Sequence, residues 1–93
     1  MDLGISGRRA LITGGSLGIG RATAAALAAE GVDVAIVARD HDRLDAAAQE
    51  LSSNAGGRVV GIAGDMGEAA DIDRVVAQAN AALGGIDILV NNA

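Results

Sequence analysis

Cysteine, proline, lysine, phenylalanine, tryptophan and tyrosine are all missing from this 93-residue sequence. Each absence removes a class of chemistry or architecture. Without cysteine there is no disulfide, thiol nucleophile or thiolate metal site, which fits a cytoplasmic setting. Without large aromatics, nearly all the packing must come from alanine, glycine, valine, leucine and isoleucine. Such side chains bury little area each, but they let helix and sheet layers approach closely. Positive charge is also scarce: all seven basic residues are arginine, against twelve acidic ones, for a net charge of −5. Nucleic acids and anionic membrane surfaces bind basic patches, so neither is expected as a partner. No apolar run approaches the roughly 20 residues of a membrane span. The start, MDLGISGRRALITGG, carries no basic segment leading into a long apolar run, so no signal peptide is expected. The sole histidine, His41, makes no metal site alone.

What is present alternates short apolar runs with longer amphipathic ones. RRALIT (8–13), DVAIVA (33–38), RVVGIA (58–63) and IDILVNNA (86–93) read as strands. They are apolar throughout rather than alternating, which predicts burial on both faces and parallel pairing. Between them lie three predicted helices. The first spans 19–30 and stops at Gly31; the second is capped by Asp40 or Asp42 and carries Leu44, Ala47, Ala48 and Leu51 on one face. The third runs from about Glu68 to Leu83, with Ile72, Val75, Val76, Ala79 and Leu83 at helical spacing. This rhythm predicts an α/β fold, a Rossmann-type doubly wound parallel sheet comprising about the first four strands and three helices. A final strand with no helix after it would leave apolar surface and an open edge. Residues 1–93 are therefore expected to be one part of a longer single-domain protein.

The first strand runs into a turn with four glycines in seven positions, Gly14 to Gly20. At a helix amino terminus, free N–H groups and the helix dipole favour an anion, most often a phosphate. Glycines there let the backbone approach a pyrophosphate closely. The Walker pattern fails, because Arg21 and Ala22 stand where lysine and a hydroxyl residue are needed. The GxGxxG spacing fails as well. The spacing present is T-G-x-x-x-G-x-G, Thr13 to Gly20. Asp65 and Met66 follow the third strand, and Asn91-Asn92-Ala93 follow the fourth.

These three motifs, in this order, resemble the short-chain dehydrogenase/reductase family across the whole chain. The resemblance implies that the backbone around Thr13, Gly14, Ser16, Leu17, Gly18, Ile19 and Gly20 holds the pyrophosphate of a dinucleotide. It implies that Asp65, with Met66 beside it, meets the adenine amino group, and that Asn91 to Ala93 line the nicotinamide side. For Asp65 taken alone, a cap ahead of the third helix is the simpler expectation. The resemblance also implies a small carbonyl or alcohol substrate and a homo-oligomer in the full-length enzyme.

The residue ending the second strand, about 20 positions past the glycine turn, meets the adenosine ribose in dinucleotide folds. Here the strand ends at Ala38 and Arg39 follows. A guanidinium suits a 2′-phosphate, so NADP is the first expectation and NAD the second. Asp40 opposes that choice if it points at the ribose; Arg43, one turn into the next helix, could assist but reads first as a surface charge. The tyrosine and lysine that assist hydride transfer in the family are absent from these residues. The segment alone is expected to bind cofactor without catalysing the reaction; a catalytically inert binding or interaction module is the alternative.

Overall fold

The computed structural model describes residues 7–14, 18–53 and 56–91. Four strands and three helices alternate: β1 (Arg9–Thr13), α1 (Gly18–Ala29), β2 (Asp33–Ala38), α2 (His41–Ser52), β3 (Val59–Ala63), α3 (Ala69–Leu83) and β4 (Ile88–Val90). The strands form one parallel sheet in the order β3-β2-β1-β4. This is the Rossmann-type arrangement that strand–helix alternation predicts.

Short side chains set how the layers meet. One core cluster joins Ala10, Ile12, Val34 and Ile36 of the sheet to Ala24 and Ala28 of α1 and Leu44, Ala47 and Leu51 of α2. The other joins Leu11, Ala35, Val37 and Ile62 to Val75, Ala79 and Leu83 of α3. Alternate residues of β1 and β2 thus feed opposite faces, with α1 and α2 on one and α3 on the other. β2 is buried on both faces from Val34 to Val37, as a central parallel strand should be.

The helix ends follow local chemistry. Asp40 is extended and its carboxylate accepts the N–H groups of Asp42 and Arg43, so it caps α2. Gly84, left-handed, closes α3 by donating to Asn80 O. Glu68 occupies the N-cap of α3 without a side-chain cap bond.

A fourth strand was expected over 86–93; among the described residues β4 covers Ile88–Val90, and the Asp87 N–H donates to Arg9 O just ahead of it. On α3, Val75, Ala79 and Leu83 are buried, whereas Ile72 and Val76 are 37% and 36% exposed. The reason is geometric: α3 rests chiefly on β2 and β3, and Ile72 and Val76 lie to the side of that contact.

Candidate functional site

With the strand order 3-2-1-4, the chain leaves β1 toward one side of the sheet and reaches β4 on the other. Ligands of open α/β sheets sit at such a reversal, outside the carboxyl ends of the strands. A cleft of about 760 Å³ opens there. All four strand ends contribute: Thr13 and Gly14 from β1, Arg39 and Asp40 beyond β2, Asp65 and Met66 beyond β3, and Leu89 and Asn91 at β4.

At the end of β1, Thr13 is buried and its hydroxyl lies 3.1 Å from Asn91 Oδ1, tying the first strand end to the fourth. Gly14 donates its N–H to Val37 O at 2.8 Å. Gly14 and Gly18 have φ of 69° and 59°, a left-handed backbone that side-chain-bearing residues rarely adopt. They bracket residues 15–17, so the predicted pyrophosphate contacts Ser16 and Leu17 lie outside the described residues, as does Ala93. Gly20 is buried within α1, while Ile19 is 77% exposed. Neither Ile19 nor Gly20 lines the cleft, and Gly18 borders a separate groove between α1 and α2.

At the end of β2 three charged residues share the cleft: Arg39, Asp40 and Arg43. The Asp40 carboxylate is occupied locally. Oδ1 accepts from the N–H groups of Asp42 at 3.1 Å and Arg43 at 3.2 Å, and Oδ2 lies 3.7 Å from Arg43 Nε. Arg39 is exposed, and it has no hydrogen-bond or ion-pair partner among the described residues. Arg43 is an exposed charge, as expected first, and it borders the cleft one helical turn past Arg39, where the sequence also allowed it to assist.

At the end of β3, Asp65 Oδ1 accepts the N–H of Gly67 at 2.9 Å, an Asx turn that bends the chain toward α3. Its carboxylate therefore shapes the turn, and the N-cap itself is Glu68. The Asp65 N–H donates to Asp71 Oδ2 at 2.9 Å, bracing the turn against the first turn of α3. Met66 is half-buried against the α3 cluster and borders the cleft. Leu89, 65% exposed on the α3 side, and Ile72 complete an apolar wall. Neither was foreseen as a site residue, because an apolar strand or helix position reads as core until the layer above it is known.

Arg9 and Asp87 lie elsewhere, at the opposite end of β1. The Arg9 guanidinium holds the Asp87 carboxyl below the usual carboxylate range, chiefly by their side-chain hydrogen bond. The same bond raises Arg9. Among the described residues no helix is long and apolar enough to cross a membrane, and no group of three His, Cys, Asp or Glu could hold a metal.

Comparison with known proteins bears on this geometry. The sequence model of a family described as short chain dehydrogenase matches residues 8–93. The chain is 42% identical over 88 residues to glucose 1-dehydrogenase of Gluconobacter oxydans, covering 95% of this chain and 33% of that protein. Its fold is similar to L-sorbose reductase from Gluconobacter frateurii, solved in complex with NADPH and L-sorbose. That match has a TM-score of 0.95 and 48% identity, covering 100% of this chain and 35% of the other. It is also similar to an alcohol dehydrogenase from the archaeon Thermococcus sibiricus, complexed with 5-hydroxy-NADP. There the TM-score is 0.83 at 35% identity, covering 88% of this chain and 35% of the other. The chain spans about a third of the length of these relatives.

Proposed function

The chain belongs to the short-chain dehydrogenase family, and on that premise we propose that it forms the cofactor-binding portion of an NADP(H)-dependent oxidoreductase. The full-length enzyme would interconvert a carbonyl and a secondary alcohol. The observation that carries the NADP reading is the charge arrangement at the end of β2. Arg39 stands in the cleft with no partner among the described residues, Arg43 stands beside it, and the intervening carboxylate is engaged as a helix cap. A carboxylate selects NAD by accepting from free ribose hydroxyls. Asp40 already accepts two N–H groups at Oδ1 and faces the Arg43 guanidinium at Oδ2, which favours the two arginines as the groups that meet the ribose. Two solved relatives that hold NADPH or an NADP derivative support the same preference.

In this reading the turn that begins at Gly14 and ends at Gly18 is the segment that meets a pyrophosphate ahead of α1. Asp65 has acceptor capacity beyond its bond to Gly67, since an ionised carboxylate offers about four lone-pair sites, and that capacity serves an adenine amino group. Asn91, fixed by Thr13, flanks the nicotinamide half. The bound cofactor supplies or accepts a hydride. A proton donor must neutralise the resulting charge on the carbonyl oxygen, and these 93 residues contain neither tyrosine nor lysine. The segment's own task is to bind and orient the dinucleotide, with the proton donor supplied by other residues of the enzyme.

Titration of the full-length protein with NADPH and NADH tests the proposal. Charge-assisted bonds of about 1.5–3 kcal/mol correspond to roughly a ten- to a hundred-fold preference for NADPH. Replacing Arg39 by Asp should abolish that preference. Equal affinity for the two cofactors before and after the change would overturn the NADP assignment.

A further inference from the structure

Among the described residues β3 lies at one edge of the sheet, with β2 as its single neighbour. An open strand edge presents unpaired N–H and C=O groups that can template another strand. The register pairs Val34 with Val59, Ile36 with Gly61 and Ala38 with Ala63. The terminal ladder bonds, Val34 N–H to Arg58 O and Gly64 N–H to Ala38 O, fix which groups face inward. In a parallel ladder, Arg58, Val60, Ile62 and Gly64 therefore face β2, and the backbone groups of Val59, Gly61 and Ala63 face outward.

Two of those three outward carbonyls are already taken. Val59 O accepts from Ser52 Oγ at 3.1 Å, and Ala63 O accepts from Arg74 Nη2 at 2.8 Å. The donors come from opposite layers: Ser52 is the last residue of α2, and Arg74 lies in the second turn of α3. Arg74 is itself held in place. Its Nη1 donates to Gln78 Oε1 at 2.9 Å, and Asp71 Oδ1 lies 3.7 Å from Nη2. Between the two guarded positions only Gly61 offers an outward carbonyl without a side-chain donor, at the floor of an open groove that includes His41 and Gln78. One residue is too short a template, because an added strand needs several alternate positions in succession.

We propose that Ser52 and Arg74 act together as edge guards that stop a second copy of this chain from adding a strand to β3. The occupant they exclude is an extended strand, and the chemistry they block is main-chain hydrogen bonding. This assignment does not depend on the cofactor reading, since neither residue lines the cleft at the strand ends.

The test compares the full-length protein with Ser52→Ala, Arg74→Met and the double variant by sedimentation velocity over about a hundred-fold concentration range. Amide hydrogen exchange at Val59, Gly61 and Ala63 is followed in parallel. Losing both guards should produce assemblies larger than the parent's, growing with concentration. In them the Gly61 amide should slow by about ten-fold or more while the β1 and β2 amides stay protected. The conservative pair Ser52→Thr and Arg74→Lys, which keeps both donors, should behave like the parent. A folded double variant with the parent's mass at every concentration would overturn the proposal, as would larger assemblies in which the Gly61 amide stays as fast as before. Should the double variant fail to fold, each single variant is read by the same criteria.

Discussion

Asp40 uses one carboxylate for two neighbours, capping α2 through Oδ1 and standing near Arg43 through Oδ2. The two roles separate by substitution. Asparagine caps helices as well as aspartate does, whereas alanine cannot, so Asp40→Ala should cost about 0.5–2 kcal/mol of stability and Asp40→Asn far less. Urea denaturation of both variants checks this. A large loss in Asp40→Asn would mean that the charge, and not the cap, matters. Arg43 belongs to the same scale. As a second guanidinium on the cleft wall, its replacement by alanine should weaken NADPH binding by roughly ten-fold and leave NADH binding unchanged. Paired titrations read that difference directly. Arg39 was legible as a site residue because a strand end fixes its position. Arg43 was legible only as a candidate helper, because its direction depends on the angle at which α2 leaves β2.

Among the elements, α2 and β3 are matched through one contact. Gly61 lies on the sheet face beneath Leu44, and a Cβ there would come within 2.9 Å of Leu44 Cγ. Leu44 is 1% exposed and cannot swing aside freely. Gly61→Ala should therefore destabilise by about 1–3 kcal/mol through overpacking. Leu44→Ala should cost about 2–5 kcal/mol by leaving a cavity. The double variant should lose less than the two costs added, because each change relieves the strain of the other. Thermal denaturation of the three proteins gives the coupling, and simple additivity would show that the two sites do not interact. The strand at 58–63 was visible in the sequence as an apolar run. The need for glycine at its centre was not, since only the seating of α2 on the sheet creates it.

The whole molecule is drawn together at the start of β1. Arg9 donates from both its backbone N–H and its side chain to Asp87, 78 residues away, and from Nη1 to Gly84 O at 2.7 Å. This contact joins the first strand to the end of α3 and the start of β4. It holds the Asp87 carboxyl below its ordinary range, so the folded state binds fewer protons there than the unfolded chain. Its stabilisation is fully present above the unfolded carboxylate pKa and is lost as pH falls through the lower folded value. The raised Arg9 works in the other direction: its contribution is complete below the unfolded arginine pKa and fades only in strong alkali. Asp87→Asn should accordingly flatten the acid limb of the stability curve, measured as the urea midpoint from about pH 2 to 6, without changing its slope near neutrality. An unchanged acid limb would show that this pair does not govern acid unfolding.

Composition and order alone determined the layered α/β plan. Apolar runs without polar alternation require strands covered on both faces, and glycine stops divide the amphipathic stretches into three helices. Arg39 was picked out because it follows a strand end, and Asp65 and Asn91 through the family resemblance; all three border the cleft because the strand ends of a parallel sheet gather along one edge. Only the tertiary structure decided that Asp40 rather than Asp42 caps α2, that Arg43 and Leu89 border the cleft, and that Ser52 and Arg74 cover the margin of β3. Those outcomes depend on how far apart the layers sit and how the helices are turned upon the sheet. These are properties of packed surfaces, which the order of residues along the chain does not display.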